Sequence, residues 1–325
     1  MPQDHSPRRT RKSFIYKSFG APRSVLELIE TERPPLASGV LRVEVTHVPV
    51  NPSDLIPITG AYAHRVVLPA VAGYEGVGRV VEAPAEFSHM LGRRVLPLRG
   101  EGTWQTHVDC PATCAVQVPE AISDLMAARA YINPLAAATM LRRWPVRDKT
   151  VLLCGAGSGC AEYLGRWAIR QGARHVVGIY RSESRTDRLR QIGIEPVSTV
   201  DSVAISRAST WADIAFDALG GDIASGVLGR MRRGADFVAY GLLTGSPVMV
   251  GAGTKASYHR FHLRDHLPSP VGPGMRDAFA DIWSMLAETP PPDPRVFPAR
   301  DWPKALAEAE RPGGRKPILD MSGLA

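Results

Sequence analysis

Residues 150–172 read TVLLCGAGSGCAEYLGRWAIRQG: a short apolar run, a glycine-rich turn and an amphipathic segment. A turn of this kind after a strand lets backbone N–H groups approach a pyrophosphate, and the helix that follows adds positive potential at its N-terminus. The bare glycine pattern is incomplete, because Cys160 stands where a further glycine is due after Gly155 and Gly157. Context supplies what the pattern lacks: the segment reads as strand, turn, helix and then a second apolar strand, one βαβ unit. The second strand ends in Arg181, followed by Ser182, Glu183, Ser184 and Arg185. A binder of NADH needs a carboxylate at that tip for the ribose 2′-hydroxyl, whereas a guanidinium suits a 2′-phosphate. Arg181, with Arg185, therefore predicts NADPH; the plain alternative is a solvated arginine on a surface loop.

A second group able to do chemistry is a phenol. VEVTHVPVNPSDLIPITGAY opens as an alternating strand at Val43 and ends at Tyr62, after a loop of Asn, Pro, Ser, Asp and Gly. A phenol is neutral at pH 7 and can donate a hydrogen bond to a developing oxyanion. On the residues alone, Tyr62 is either such a donor or a turn residue. The four cysteines, Cys110, Cys114, Cys154 and Cys160, form neither zinc-type CxxC pairs nor a secreted disulfide framework. Reduced thiols and a cytoplasmic location are the expectation.

The elements that must position these groups fall into three textures. Up to about residue 125 the chain reads as short strands between Gly/Pro turns: SFIYKSFG, VLRVEVTHVPV, GVGRVVEA, RRVLPL, GTWQTHVDC and CAVQVP. From Ser123, SDLMAARAYINPLAAATMLRRW has helical spacing with a break expected near Pro134. After the βαβ unit, ADIAFDAL, ADFVAYG and PVMVG read as further strands with helices between them, which implies a parallel sheet. DHLPSPVGPG reads as a loop, MRDAFADIWSMLAE as a helix, ETPPPDPRVFP as a linker, and the C-terminal stretch as a helix and then a strand. The fold class is α/β: a mainly β domain, residues 1–128 and 272–325, and a parallel-sheet nucleotide-binding domain, residues 129–271.

At 325 residues, 44% hydrophobic and 22% charged, the composition is that of a globular protein. No apolar run approaches the roughly 18 residues of a membrane helix. The N-terminal MPQDHSPRRTRKS lacks the apolar core of a secretory signal and reads as a disordered tail of about ten residues, with a short organelle presequence as the alternative. The net charge of +7 could mean nucleic acid, but it is arginine spread along the chain with no long basic block beyond RRTRK; background composition and a pocket for an anionic cofactor or substrate explain it equally well.

VTHVPVNPSDL, LPAVAGYEGVGRVVEA, GTWQTHV, AARAYINPLAAATML and RDWPKALAEAE…GRKPILDM together resemble the medium-chain dehydrogenase/reductase superfamily, in its order and over nearly the whole chain. The NPSD loop, GAY and the NP-x-x-A turn are similar to the zinc-free 2-enoyl thioester reductase and quinone oxidoreductase branch. The zinc-dependent branch has Cys where this loop reads NPSD and His where Tyr74 stands, so no catalytic zinc is expected; Asp54 and Glu75 then become structural hydrogen-bonding groups. The resemblance implies a GroES-like catalytic domain, a Rossmann domain and a homodimer. It also implies hydride transfer from NADPH to the β-carbon of an activated C=C bond, with Tyr62 as the donor. It places Asn133, Tyr240, Gly241, Phe261 and Lys316 at the cofactor, with Ser158, Gly159, Cys160 and Ala161 as its phosphate loop. Departures from the family pattern lie at Ala136, where a hydroxyl is usual, at Ala161, where glycine is usual, and at Arg260-Phe261-His262, where the family has GFW. They point to a specialised substrate or weakened turnover, with His262 as a second proton donor to consider. The remaining readings are a quinone reductase and an NADPH-binding protein without turnover.

Overall fold

Hydrophobic alternation sets the first strand: in Thr10–Tyr16 the side chains of Phe14 and Tyr16 are buried, and the strand pairs antiparallel with Leu26–Glu32 and Ala70–Val71. The computed structural model describes residues 10–61, 63–267 and 274–324, and the chain divides into one unit of residues 1–132 with 268–325 and another of residues 133–267. Tyr62, the N-terminal tail through residue 9 and residues 268–273 of the predicted Pro/Gly loop lie outside the described residues.

In the first unit a seven-stranded sheet runs in the order Arg295–Pro298, Pro317–Asp320, Val40–Pro49, Val77–Glu82, Arg94–Pro97, Ala115–Gln117, with His107–Pro111 also paired to Val40–Pro49. Only the pair Arg295–Pro298 and Pro317–Asp320 is parallel. The ten-residue strand Val40–Pro49 serves several partners because His107–Pro111 pairs along residues 40–44 and Pro317–Asp320 along residues 47–49, while its register against Val77–Glu82 shifts twice, after Arg42 and after Val45. Gly78 makes the close approach there possible: a Cβ at that position would lie 2.2 Å from the Glu44 carbonyl oxygen. The core gathers Phe14, Trp104, Ile58, Leu306 and Leu319, with Phe14 edge-on to Trp104 at 6.3 Å. Inside this sheet Arg42, 2% exposed, grips Asp109 through Nε and Nη2, each at 2.8 Å.

The second unit is a six-stranded, wholly parallel sheet in the order Glu195–Ser198, His175–Tyr180, Thr150–Cys154, Ile214–Asp217, Asp236–Ala239, Ser257–Arg260. Counted along the chain this is 3-2-1-4-5-6, the doubly wound order whose direction reverses between Thr150–Cys154 and Ile214–Asp217. Ligand crevices form at the carboxyl ends of the strands at such a switch point.

Three local readings need correction. PVMVG, residues 247–251, is not a strand; Met249 and Val250 are exposed, and the sixth place is taken by Ser257–Arg260. That edge strand carries no continuous apolar signal; among the described residues it has a neighbour on one side only. The predicted linker contains the strand Arg295–Pro298, whose partner, Pro317–Asp320, lies beyond an intervening helix. The helical stretch from Ser123 breaks at residues 128–131, and Pro134 sits in the first turn of Ile132–Arg143, where a missing N–H costs no helical hydrogen bond.

Candidate functional site

Two groups of polar residues stand out, one in each unit. In the second unit Thr150–Cys154 ends at Gly155, whose φ of +82° turns the chain, and Ser158 then caps the helix Gly159–Arg170. The Ser158 side chain accepts from the backbone N–H of Ala161 at 3.4 Å, leaving the other first-turn donors available to an anion. Gly157 and Gly159 keep the loop open to its neighbours. A Cβ at Gly157 would lie 3.2 Å from Cγ of Arg185, and one at Gly159 would lie 3.3 Å from Nδ2 of Asn133. Arg185 thus lays its stem along the loop from one side and Asn133 stands over the helix start from the other. Cys160 donates to the Asn133 carbonyl oxygen at 3.7 Å, and burial pushes its thiol up to about 12, so it is an unreactive packing group. The buried Tyr240 hydroxyl lies beside Ser158 and Cys160 without a well-formed hydrogen bond to either. Gly241 follows at a point where a Cβ would meet the Ala218 carbonyl oxygen at 2.6 Å.

The structure therefore brings Asn133, Ser158, Gly159, Cys160, Ala161, Arg185 and Tyr240 around one loop. Arg181 stands exposed just past the end of His175–Tyr180. Phe261 is buried elsewhere in the unit, stacked on His266 at 4.9 Å and edge-on to Trp144 at 6.3 Å, with His262 half-buried beside it. The methyl of Ala161 is accommodated because close helix–sheet approach occurs one turn later. At Gly165 a Cβ would lie 2.3 Å from Cδ1 of Ile194, and at Gly178, on the neighbouring strand, 2.6 Å from Cβ of Ala156. The helix-spaced Gly165 was the signal available in the sequence.

In the first unit Asn51, Asp54 and Glu75 are buried together. Asn51 and Asp54 form a capping box over Pro52–Leu55, with the Asn51 backbone N–H donating to Asp54 Oδ2 at 2.8 Å. Asp54 Oδ1 accepts from the Tyr74 N–H at 2.9 Å. Asn51 Nδ2 donates to Glu75 Oε1 at 2.6 Å, and Glu75 Oε2 accepts from the backbone N–H groups of Tyr131 at 3.1 Å and Ile132 at 2.8 Å. Lys316, far away in sequence, donates to Asn51 Oδ1 at 2.8 Å and to the Val50 carbonyl at 3.2 Å. Burial, then the neighbouring Glu75, push Asp54 up to about 7; burial also raises Glu75, against the pull of its hydrogen bonds. Nothing local in the sequence announces that these four residues meet. Gly73 lets the loop into place: its φ is +88°, and a Cβ would lie 2.1 Å from Cδ1 of Trp104. Among the described residues no group of three or more His, Cys, Asp or Glu is arranged to hold a metal ion, and no helix is long and apolar enough to cross a membrane.

Known proteins are similar to this chain in sequence and fold. The alcohol dehydrogenase GroES-like domain family matches residues 37–120. The mitochondrial enoyl-acyl-carrier-protein reductase of Homo sapiens is 29% identical over 257 residues, covering 75% of this chain and 68% of that protein. A crystal structure from Bacillus thuringiensis, assigned by name to the NADPH:quinone reductases, is 29% identical with a TM-score of 0.88, covering 96% of this chain and 99% of the other. A mutant form of enoyl thioester reductase from Candida tropicalis, 18% identical with a TM-score of 0.77 over 96% of this chain and 100% of its own, shares the fold. The GroES-like domain match, the doubly wound sheet and these relatives together support placing the chain in the medium-chain dehydrogenase/reductase superfamily, in its zinc-free branch.

Proposed function

We propose that this protein is an NADPH-dependent reductase of an activated C=C bond, in a 2-enoyl thioester or another α,β-unsaturated carbonyl compound. The observation that carries the reading is the phosphate loop at the sheet's switch point, with Arg185 laid along Gly157 and Asn133 over Gly159. A side chain at either glycine would press on Arg185 or Asn133, and the open loop that the glycines leave suits a dinucleotide's pyrophosphate. The name of the human relative supports the same class.

The residues that would hold the cofactor are Asn133, Ser158, Gly159, Cys160, Ala161, Tyr240 and Gly241, with Arg181 and Arg185 on the 2′-phosphate and Phe261 and Lys316 as further contacts. NADPH, when bound, supplies the hydride that adds to the β-carbon. Negative charge then develops on the carbonyl oxygen, where the phenol of Tyr62 donates, and the α-carbon takes a proton. In this reading residues 1–128 and 272–325 form the catalytic domain and residues 129–271 the nucleotide-binding domain; the active form is a cytoplasmic homodimer.

A quinone acceptor is the second reading, favoured by the Bacillus protein's name and its match over 96% of this chain. Oxidation of NADPH followed by its absorbance, with crotonyl-CoA and with a small benzoquinone as acceptors, separates the two. Turnover with the enoyl thioester supports the proposal. Turnover with the quinone alone transfers the assignment to the second reading, and tight NADPH binding without turnover on either acceptor overturns both.

A further inference from the structure

Glu162 is the fourth residue of the helix that opens at the phosphate loop. A carboxylate so near a helix N-terminus sits in favourable potential, but it also opposes any phosphate drawn to the same end. Here its charge is engaged from outside the loop. Glu162 Oε1 accepts from Arg188 Nη2 at 2.5 Å, and Arg166 Nη1 lies 3.8 Å from the same oxygen. The Glu162 and Arg166 side chains are each 17% exposed and that of Arg188 35%, so this is a half-shielded cluster of two cations and one anion, less screened than a surface pair. Arg188 belongs to the helix Thr186–Gln191, and the residue that precedes that helix is Arg185. The ion pair therefore ties the segment that carries Arg185 to the phosphate-loop helix. Leu189, 2% exposed, anchors the same segment from its apolar side.

We propose that Glu162 is a positioning residue for cofactor choice: through Arg188 it holds residues 183–191 so that Arg185 stays along Gly157, and this sets the preference for a 2′-phosphorylated dinucleotide. The inference rests on the NADPH reading above. Its direction is opposite to that of simple charge. Removing a carboxylate beside an anion site, with nothing else changed, tightens NADPH and, through the pyrophosphate, NADH as well. Releasing Arg188 and the segment behind it weakens NADPH selectively, because only NADPH depends on the arginines of that segment.

The test is calorimetric titration of NADPH and NADH into the parent protein, Glu162→Gln, Arg188→Met and the double variant. The expected result is a loss of about tenfold in NADPH affinity in each single variant, with NADH within about twofold of the parent. The double variant should be no worse than either single one, since both break the same tie. Amide hydrogen exchange on the proteins without cofactor should show faster exchange over residues 183–191 in both single variants, a readout independent of binding and turnover. Arg188→Lys, which retains a cation, should recover part of the NADPH preference. Unchanged or tighter NADPH binding in Glu162→Gln with parental exchange over 183–191 overturns the proposal and leaves the cofactor reading intact. A parent that binds neither dinucleotide overturns both.

Discussion

Asp54 offers the sharpest test of the buried polar cluster, because its effect on stability has a sign that is easy to mistake. The carboxyl is 2% exposed and accepts two backbone hydrogen bonds, yet burial and Glu75 raise its pKa from 3.8 to about 7. The folded state then keeps a proton that the unfolded chain has already released. Stability falls as pH rises from about 4 to about 7 and levels off above that. A shift of about three units corresponds to about 4 kcal/mol in all, of which about 2.5 kcal/mol falls between pH 5 and pH 8. Other groups tilt the same curve. Asp217, pushed by burial to about 6, acts in the same direction. His107, lowered to about 4 by burial and by Arg33 and Arg42, acts in the opposite one: the unfolded chain binds its proton first, so stability rises between about pH 4 and 6.5. The raw pH profile is thus a sum, and the difference between variants isolates Asp54. Asp54→Asn loses one of two hydrogen-bond acceptors and is destabilised by about 1–3 kcal/mol at pH 5, where the parent carboxyl is protonated. Its deficit relative to the parent should shrink by about 2.5 kcal/mol from pH 5 to pH 8 in urea unfolding. Because Asp54 and Glu75 titrate as a pair, the difference reports the pair's shared proton. Parallel stability curves for parent and variant across this range would refute the claim that the cluster holds a proton at neutral pH.

Three further outcomes are expected. Arg181→Ala should weaken NADPH by roughly 1.5–3 kcal/mol and leave NADH nearly unchanged by calorimetry; an equal loss for both removes Arg181 from the 2′-phosphate. Tyr62→Phe should lower kcat on the order of 10²-fold on an accepted enoyl substrate, with NADPH affinity preserved, whereas a change in KM alone returns Tyr62 to a pocket wall. Gly73→Ala combines a positive φ with a Cβ at 2.1 Å from Trp104, so it should cost more than about 2 kcal/mol in chemical unfolding. A parental unfolding midpoint in that variant would mean that the Gly73 loop does not press on the indole.

What could be read from the sequence was what local chemistry imposes. The turn from Gly155 to Ser158, the apolar strands around it and the change from alternating to helical spacing after Ser123 depend on neighbours a few residues away, and so they led to the α/β class and the superfamily. Tertiary structure decided whatever depends on distant partners. Ser257–Arg260 is a strand because Asp236–Ala239 lies beside it, and the more apolar PVMVG is not, having no strand to pair with among the described residues. Arg295–Pro298 pairs with Pro317–Asp320 although its surroundings are rich in proline. The missing glycine at Ala161 became intelligible only when Gly165 and Gly178 were seen to provide the close contacts. Glu162 meets Arg188 across 26 positions and Lys316 meets Asn51 across 265. Charged and amide side chains carry no periodicity that reveals such pairing, so the groups that arrange the site emerge only once the fold has brought them together.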